Sequence, residues 1–339
     1  MFALHTTPPP KQENALISTA LLRSTTFAVI TALATLSLTT SPAHAAAPMV
    51  KTSAPGYYRV MLGDFEVTAL SDGTLQLPMD KALTNINPAD FNTALKKFHI
   101  TNPIETSFNG YLINTGSKLV LIDTGAGKFF GATLGKLAAS LKAAGYQPEQ
   151  VDEIYITHMH GDHIGGLTVD GVAAFPNAIV RADKHEADYW LSQAQLDKAA
   201  ADDKGGFQHA MEAFQPYIKA GKFKPFDGNT DLTPGIKAVA AYGHTPGHTT
   251  YLVESKGQKL MLWGDLMHVA AAQFDKPSVA INFDHDNKAA IAERKKAYAD
   301  AAQQGYMVGS AHLSFPGLGY LRAEGKGYAW IPVNYVSLP

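Results

Sequence analysis

Residues 157–166 read Thr-His-Met-His-Gly-Asp-His-Ile-Gly-Gly, and no other stretch constrains this chain so tightly. Four groups able to bind a metal, His158, His160, Asp162 and His163, fall within six residues, directly after the strand-like run Asp152-Glu-Ile-Tyr-Ile-Thr157. Two residues apart on extended backbone, His158 and His160 project to one side. Gly161 lets the chain bend back and aim Asp162 and His163 at the same point. Three imidazoles and a carboxylate suit a borderline divalent cation such as zinc. The chain has 13 histidines and no cysteine, so disulfides, thiolate ligands and thiol nucleophiles are excluded.

Residues 1–45 have another character. Arg23 precedes the apolar run Phe27–Leu38, and Ser41-Pro-Ala-His-Ala45 ends as Ala-x-Ala. A positive flank, an apolar core too short to span a bilayer and a small-residue cleavage site predict a secretory signal peptide. The mature chain is then expected to begin at Ala46 and to be exported, periplasmic or secreted. The stretch before Arg23 is longer than such a signal needs, which leaves a translation start later than Met1 open. No other segment is apolar enough to cross a membrane. Losing Lys11, Arg23 and Glu13 with the signal leaves 26 positive and 29 negative side chains, net −3, which argues against a nucleic-acid partner.

From residue 46 to 339 the chain reads as one α/β domain without a linker. Strands are expected at Arg59–Leu62 and Phe65–Leu70 around a Gly63-Asp64 turn, then at Tyr111–Asn114 and Leu119–Ile122. Leu134, Leu137 and Leu141 keep helical spacing before Gly145. Further strands are expected at Ile236–Ala241, Thr250–Glu254 and Lys259–Trp263, a helix from Asn287 to Gln304 closing at Gly305, and a strand from Tyr328.

Other chemistries find little support. Leu121-Ile-Asp123-Thr-Gly125 reads like an aspartic-protease triplet, but that reaction needs a second carboxylate of the same kind, and none follows. Phosphate-loop and dinucleotide motifs are missing, as is the Gly-x-Ser-x-Gly elbow of serine hydrolases.

His-x-His-x-Asp-His after a strand resembles the signature of the metallo-β-lactamase fold superfamily of hydrolases. Gly243-His244-Thr-Pro-Gly-His248, Gly264-Asp265 and Ala311-His312 continue the superfamily's motifs in order. In detail the chain is most similar to the methyl parathion hydrolase-like branch, through Ser53-Ala-Pro-Gly-Tyr-Tyr-Arg59, Leu62-Gly-Asp-Phe-Glu66, Ser314-Phe-Pro-Gly317 and Arg322-Ala-Glu-Gly-Lys-Gly-Tyr328. The resemblance implies a four-layer αβ/βα sandwich with two metal ions, zinc foremost, at one edge. His158, His160 and His244 would hold one ion, and Asp162, His163 and His312 the other. Asp265 would bridge them, where β-lactamases of the superfamily carry a cysteine. A carboxylate bridge sets two cations ~3.5–4 Å apart with room for a shared hydroxide. Asp162 and Asp265 are the catalytic candidates, Asp162 as acceptor of the attacking proton. Asp123 would support ligand histidines and His248 would orient His244. His99, His185, His209 and His285 are expected to be ordinary surface residues.

The same resemblance places Phe130, Trp190 and Phe207 around the substrate, and His268, three residues beyond Asp265, is expected with Ile281 and Phe283 to shape the same pocket. Aromatic walls with few charges suit a small, neutral, ring-bearing molecule. The branch cleaves lactones, aryl esters and phosphotriesters; bulky His268 and Phe283 favour a flat lactone or aryl ester with phosphotriester cleavage as a side activity. The alternative is a dedicated organophosphate triester hydrolase. A non-catalytic metal binder would have lost ligands, a superfamily nuclease would carry a basic face, and a glyoxalase-type thioesterase would end in a basic helical segment. A homodimer is left open.

Overall fold

The structure is a computed structural model describing residues 47–338, so the signal expected over 1–45 lies outside the described residues. Leu119-Val-Leu-Ile122 reveals how its layers are made, because four consecutive buried residues on a strand must face two ways. Leu119 and Leu121 enter one core with Leu137, Leu141, Ala210 and Phe214 from helices. Val120 and Ile122 enter another with Tyr251, Val253 and Leu262 from strands. A strand buried on both faces sits in a sheet with helices on one side and a second sheet on the other.

The first sheet contains β1 (Tyr57–Leu62), β2 (Phe65–Leu77), β3 (Ile104–Asn114), β4 (Leu119–Ile122) and β5 (Glu153–Tyr155). After the small hairpin β6 (Thr168–Val169) and β7 (Val172–Ala173), β8 (Ile179–Arg181) completes it in the order β1-β2-β3-β4-β5-β8. Strands β1 to β4 pair antiparallel, while β4, β5 and β8 run parallel. The second sheet has β9 (Thr230–Thr233), β10 (Ile236–Ala240), β11 (Thr249–Ser255), β12 (Gln258–Leu262), β13 (Met307–Gly309), β14 (Leu318–Glu324) and β15 (Gly327–Pro332) side by side.

Helices α1 (Met79–Ala82), α2 (Pro88–Lys97), α3 (Leu137–Ala143), α4 (Gly161–Ile164), α5 (Lys184–Trp190), α6 (Gln193–Lys198), α7 (Lys204–Lys219), α8 (Ala270–Gln273) and α9 (Asn287–Gln304) cover the outer faces and the rim. Residues of α3, α4 and α7 pack on the first sheet. Tyr298 and Ala301 of α9 pack on Val308 and Leu321 of the second and on Trp263 just past β12. The four layers are those of an αβ/βα sandwich. Asp286 caps α9 by accepting from the amides of Lys288 and Ala289, and Gly305, at φ 67°, ends it. Among the described residues no helix is long and apolar enough to cross a membrane.

β3 begins at Ile104 rather than Tyr111, and the bounds of β2 and α3 depart from expectation for identifiable reasons. β2 runs on to Leu77 rather than stopping near Leu70, because the polar Ser71-Asp72-Gly73 stretch forms a register shift with Gly73 at φ 124° instead of a turn. Helix α3 begins at Leu137, not Leu134, since Gly135 at φ 78° cannot be helical.

Candidate metal centre

Four loops at one edge of the sandwich supply the site. His158 and His160 follow β5, and Asp162 and His163 lie in the short helix α4. His244 comes from the β10–β11 loop, Asp265 and His268 follow β12, and His312 follows β13. Gly264 makes the β12 turn possible: at φ 53°, any Cβ there would lie 2.9 Å from both His248 Nε2 and Thr157 Cβ.

The expected ligands converge as two groups that share Asp265. His158, His160, His244 and Asp265 form one, and Asp162, His163, Asp265 and His312 the other, with the ligand atoms of each within 4.8 Å of one another. In the first, His160 Nδ1 lies 3.0 Å from His158 Nε2 and 3.1 Å from His244 Nε2. In the second, His163 Nε2 is 3.2 Å from Asp265 Oδ1 and 3.3 Å from Asp162 Oδ2, and His312 Nε2 is 3.1 Å from Asp265 Oδ2. His163 Nε2 and Asp265 Oδ1 are buried without any hydrogen bond. Buried lone pairs left unpaired and aimed at one point are what a divalent cation satisfies, so the donor set fits two such ions.

The electrostatics agree. Burial holds His160 and His244 down to about 3 and His158 well below its ordinary value, so these imidazoles are neutral and offer lone pairs. Burial also pulls on His163, but the carboxylates of Asp265, Asp162 and Asp123 raise it well above the ordinary value. Those three carboxylates make this point of the site favourable for positive charge.

Most ligand rings are held from behind. Asp123 Oδ2 accepts from His163 Nδ1 at 2.8 Å, while its other oxygen accepts from the Thr157 amide. Asp284 Oδ1 lies 2.8 Å from His244 Nδ1, and His312 Nδ1 donates to the Ser107 carbonyl. Such partners fix the ring and its tautomer. His248 meets the His244 ring edge-on at 5.6 Å, but its hydrogen bonds go elsewhere. It donates to the Ala241 carbonyl and its Nε2 accepts from the Asp265 amide, because the β10–β11 loop turns it towards the next loop.

A cavity of about 780 Å³ opens over the ligands. Phe130, Trp190, Phe207 and Phe283 line it as expected, together with Leu75, Leu77 and Phe108. His268 lines it too, but its Nε2 lies 3.1 Å from Asp265 Oδ2, so it is more than a wall. Ile281 is not in the wall. It is fully buried, pairs with Leu83 and packs with Met79 and Phe91 beneath the cavity. His285 is exposed as expected yet lines the cavity mouth, where it meets Tyr189 edge-on at 5.2 Å, while His209, expected at the surface, is half-buried in the cavity wall and stacks on Phe129 at 4.0 Å. His99 is exposed, and His185 is half exposed against Asp183.

Glu186, Asp284 and Ser107 were not legible as site residues. Glu186 is fully buried on α5 and accepts from the Met159 amide, the Thr245 hydroxyl and the Gly247 amide, tying the loop of His158 and His160 to that of His244. Burial raises it from 4.5 to about 7 despite those three donors. A folded-state value above the unfolded one means that this group's stabilisation is complete below pH 4.5 and is lost as pH rises through about 7. Glu186→Gln keeps the shape without ionising. In urea unfolding of the metal-free protein, its stability relative to wild type is expected to rise by about 3 kcal/mol between pH 4.5 and pH 8. A constant difference would mean that Glu186 does not titrate in this window.

The metallo-beta-lactamase superfamily profile matches residues 107–302. The solved hydrolase AbOPH, in the beta-lactamase superfamily, is 38% identical with a TM-score of 0.81, covering 84% of this chain and 100% of that one. AidC, a dizinc quorum-quenching lactonase in complex with the product N-hexanoyl-L-homoserine, is 29% identical with a TM-score of 0.77, covering 83% of this chain and 99% of that one. An N-acyl homoserine lactonase of Bacillus sp is 28% identical over 165 residues, 43% of this chain and 58% of that protein. The match therefore spans less than two thirds of that curated relative.

Proposed function

Because this chain belongs to the metallo-β-lactamase superfamily, we propose that it is a binuclear zinc hydrolase of lactones and aryl esters, with phosphotriester cleavage as a side activity. The observation that carries this reading is a pair of ligand groups sharing Asp265 directly beneath an aromatic cavity. Two zinc ions held there would activate water and polarise the scissile carbonyl or phosphoryl oxygen.

The chain's own residues do the rest. Asp162, the less buried of the two ligand carboxylates, takes the proton released by the attacking water. Trp190 and Phe207, with ring centroids 4.7 Å apart and planes tilted by 45°, offer an angled apolar wall for a neutral ring. His209, His285 and Tyr189 place polar edges around it, suited to a polar substituent. The sequence motifs shared with the methyl parathion hydrolase-like branch support a second reading, a dedicated organophosphate triester hydrolase.

A rate panel separates these readings. Metal-loaded protein is expected to cleave an aromatic lactone and an aryl ester faster than a dimethyl aryl phosphotriester, to leave a β-lactam intact, and to lose all three activities to a chelator until zinc is restored. Rates unchanged by exhaustive chelation would sink the metallohydrolase reading. We further propose that the mature protein is exported, begins at Ala46 and acts on small molecules rather than nucleic acid. Intact mass of secreted material that retains residues 1–45 would overturn the cleavage site.

A further inference from the structure

Arg294 on α9 is a charged side chain with no solvent exposure. A guanidinium is buried only where specific partners offset its desolvation. Its Nε donates to the carbonyl of Leu266, one residue past Asp265. Its Nη1 donates to the carbonyls of Val279 at 2.7 Å and Pro277 at 3.1 Å. Its Nη2 lies 3.6 Å from Asp284 Oδ2, and neither atom has a hydrogen bond. The other oxygen of Asp284 is 2.8 Å from His244 Nδ1.

We propose that Arg294 is a positioning residue for the metal centre. It pins the backbone beside the carboxylate that both ligand groups share and, through Asp284, orients the ring of a histidine from a different loop. One buried cation thereby sets the β12 loop and the β10–β11 loop in register. Its grip on Val279 and Pro277 also fixes the start of the 277–284 segment, which carries Phe283 into the cavity wall. The role needs a planar fork with donors in several fixed directions. A lysine ammonium, with its donors on one atom, cannot reach three carbonyls and a carboxylate at once.

The inference rests on the two-metal reading, so metal binding is measured before activity. Metal-free wild type, Arg294→Lys and the double variant Arg294→Met with Asp284→Asn are titrated with Co(II) and followed by visible absorption. The double variant removes the buried charge together with its partner, which guards against an unfolded product. Wild type is expected to take two ions per chain. Both variants are expected to bind one of the two ions about tenfold or more weakly and to show an altered Co(II) band at saturation. They should also lose kcat by about tenfold or more with little change in KM. Variants that are less stable yet keep the wild-type affinity, band and kcat would reduce Arg294 to a structural role and overturn the proposal. Wild type binding fewer than two ions would instead overturn the two-metal reading, and this inference with it.

Discussion

Asp265→Ala is expected to lose bound metal and turnover together, with kcat/KM down by about 10³-fold or more. Its two oxygens lie 3.2 Å from His163 Nε2 and 3.1 Å from His312 Nε2, and Oδ2 also lies 3.4 Å from His244 Nε2. No other side chain belongs to both ligand groups. Without it, two divalent ions at short range would repel with one anion fewer between them. The loss should exceed the ~10–100-fold typical of residues that act from behind a ligand. Asp123→Ala, which removes the support of His163 but no ligand, supplies that lower benchmark. Elemental analysis and kinetics on the same samples check both. A fully active Asp265→Ala protein, or full wild-type activity with a single tightly bound ion, would contradict the shared-carboxylate arrangement.

Four of the seven candidate ligand positions, His158, His160, Asp162 and His163, were legible because a short motif encodes local geometry, whereas His244, Asp265 and His312 were placed through the resemblance to the superfamily. Two histidines two residues apart on extended chain, followed by a glycine bend, announce their convergence without any knowledge of the rest of the fold. Asp123 apart, which the resemblance had placed behind the ligand histidines and which holds His163, the residues that brace them carry no such mark. Asp284 reaches His244 across 40 positions, and Glu186 sits in a Lys-His-Glu-Ala-Asp stretch that reads as an ordinary solvated helix turn. Only the packing of α5 against two loops turns Glu186 into a brace. The cavity wall was partly legible for the same reason. Phe130 and Phe283 reach it, but Ile281 turns inward to a cluster with Met79 and Phe91 that no local pattern predicts. The strand β4 was readable from its four apolar residues, whereas the full length of β2 depended on a glycine register shift that resembles a turn.

Substrate choice should follow the cavity wall, and the structure reduces that test to one side chain. The attacking water discriminates little between carbonyl and phosphoryl centres, so shape must decide. His268 and Phe283 both narrow the cavity, with ring centroids 5.8 Å apart. His268 also touches Asp265, so replacing it disturbs the metal centre as well as the wall. Phe283 is 43% exposed and is the cleaner probe. A planar lactone or aryl ester slides past it more easily than a tetrahedral phosphorus bearing three substituents. Phe283→Leu is therefore expected to move the kcat/KM ratio towards the phosphotriester by about tenfold or more, in line with ~1–3 kcal/mol for reshaping an apolar wall. Metal content should stay at the wild-type level. His268→Leu should move the ratio the same way while lowering the rates on both substrates. A wild-type protein that already prefers the phosphotriester, with Phe283→Leu leaving the ratio unmoved, would show that this wall does not select, and the organophosphate triester hydrolase reading would take its place.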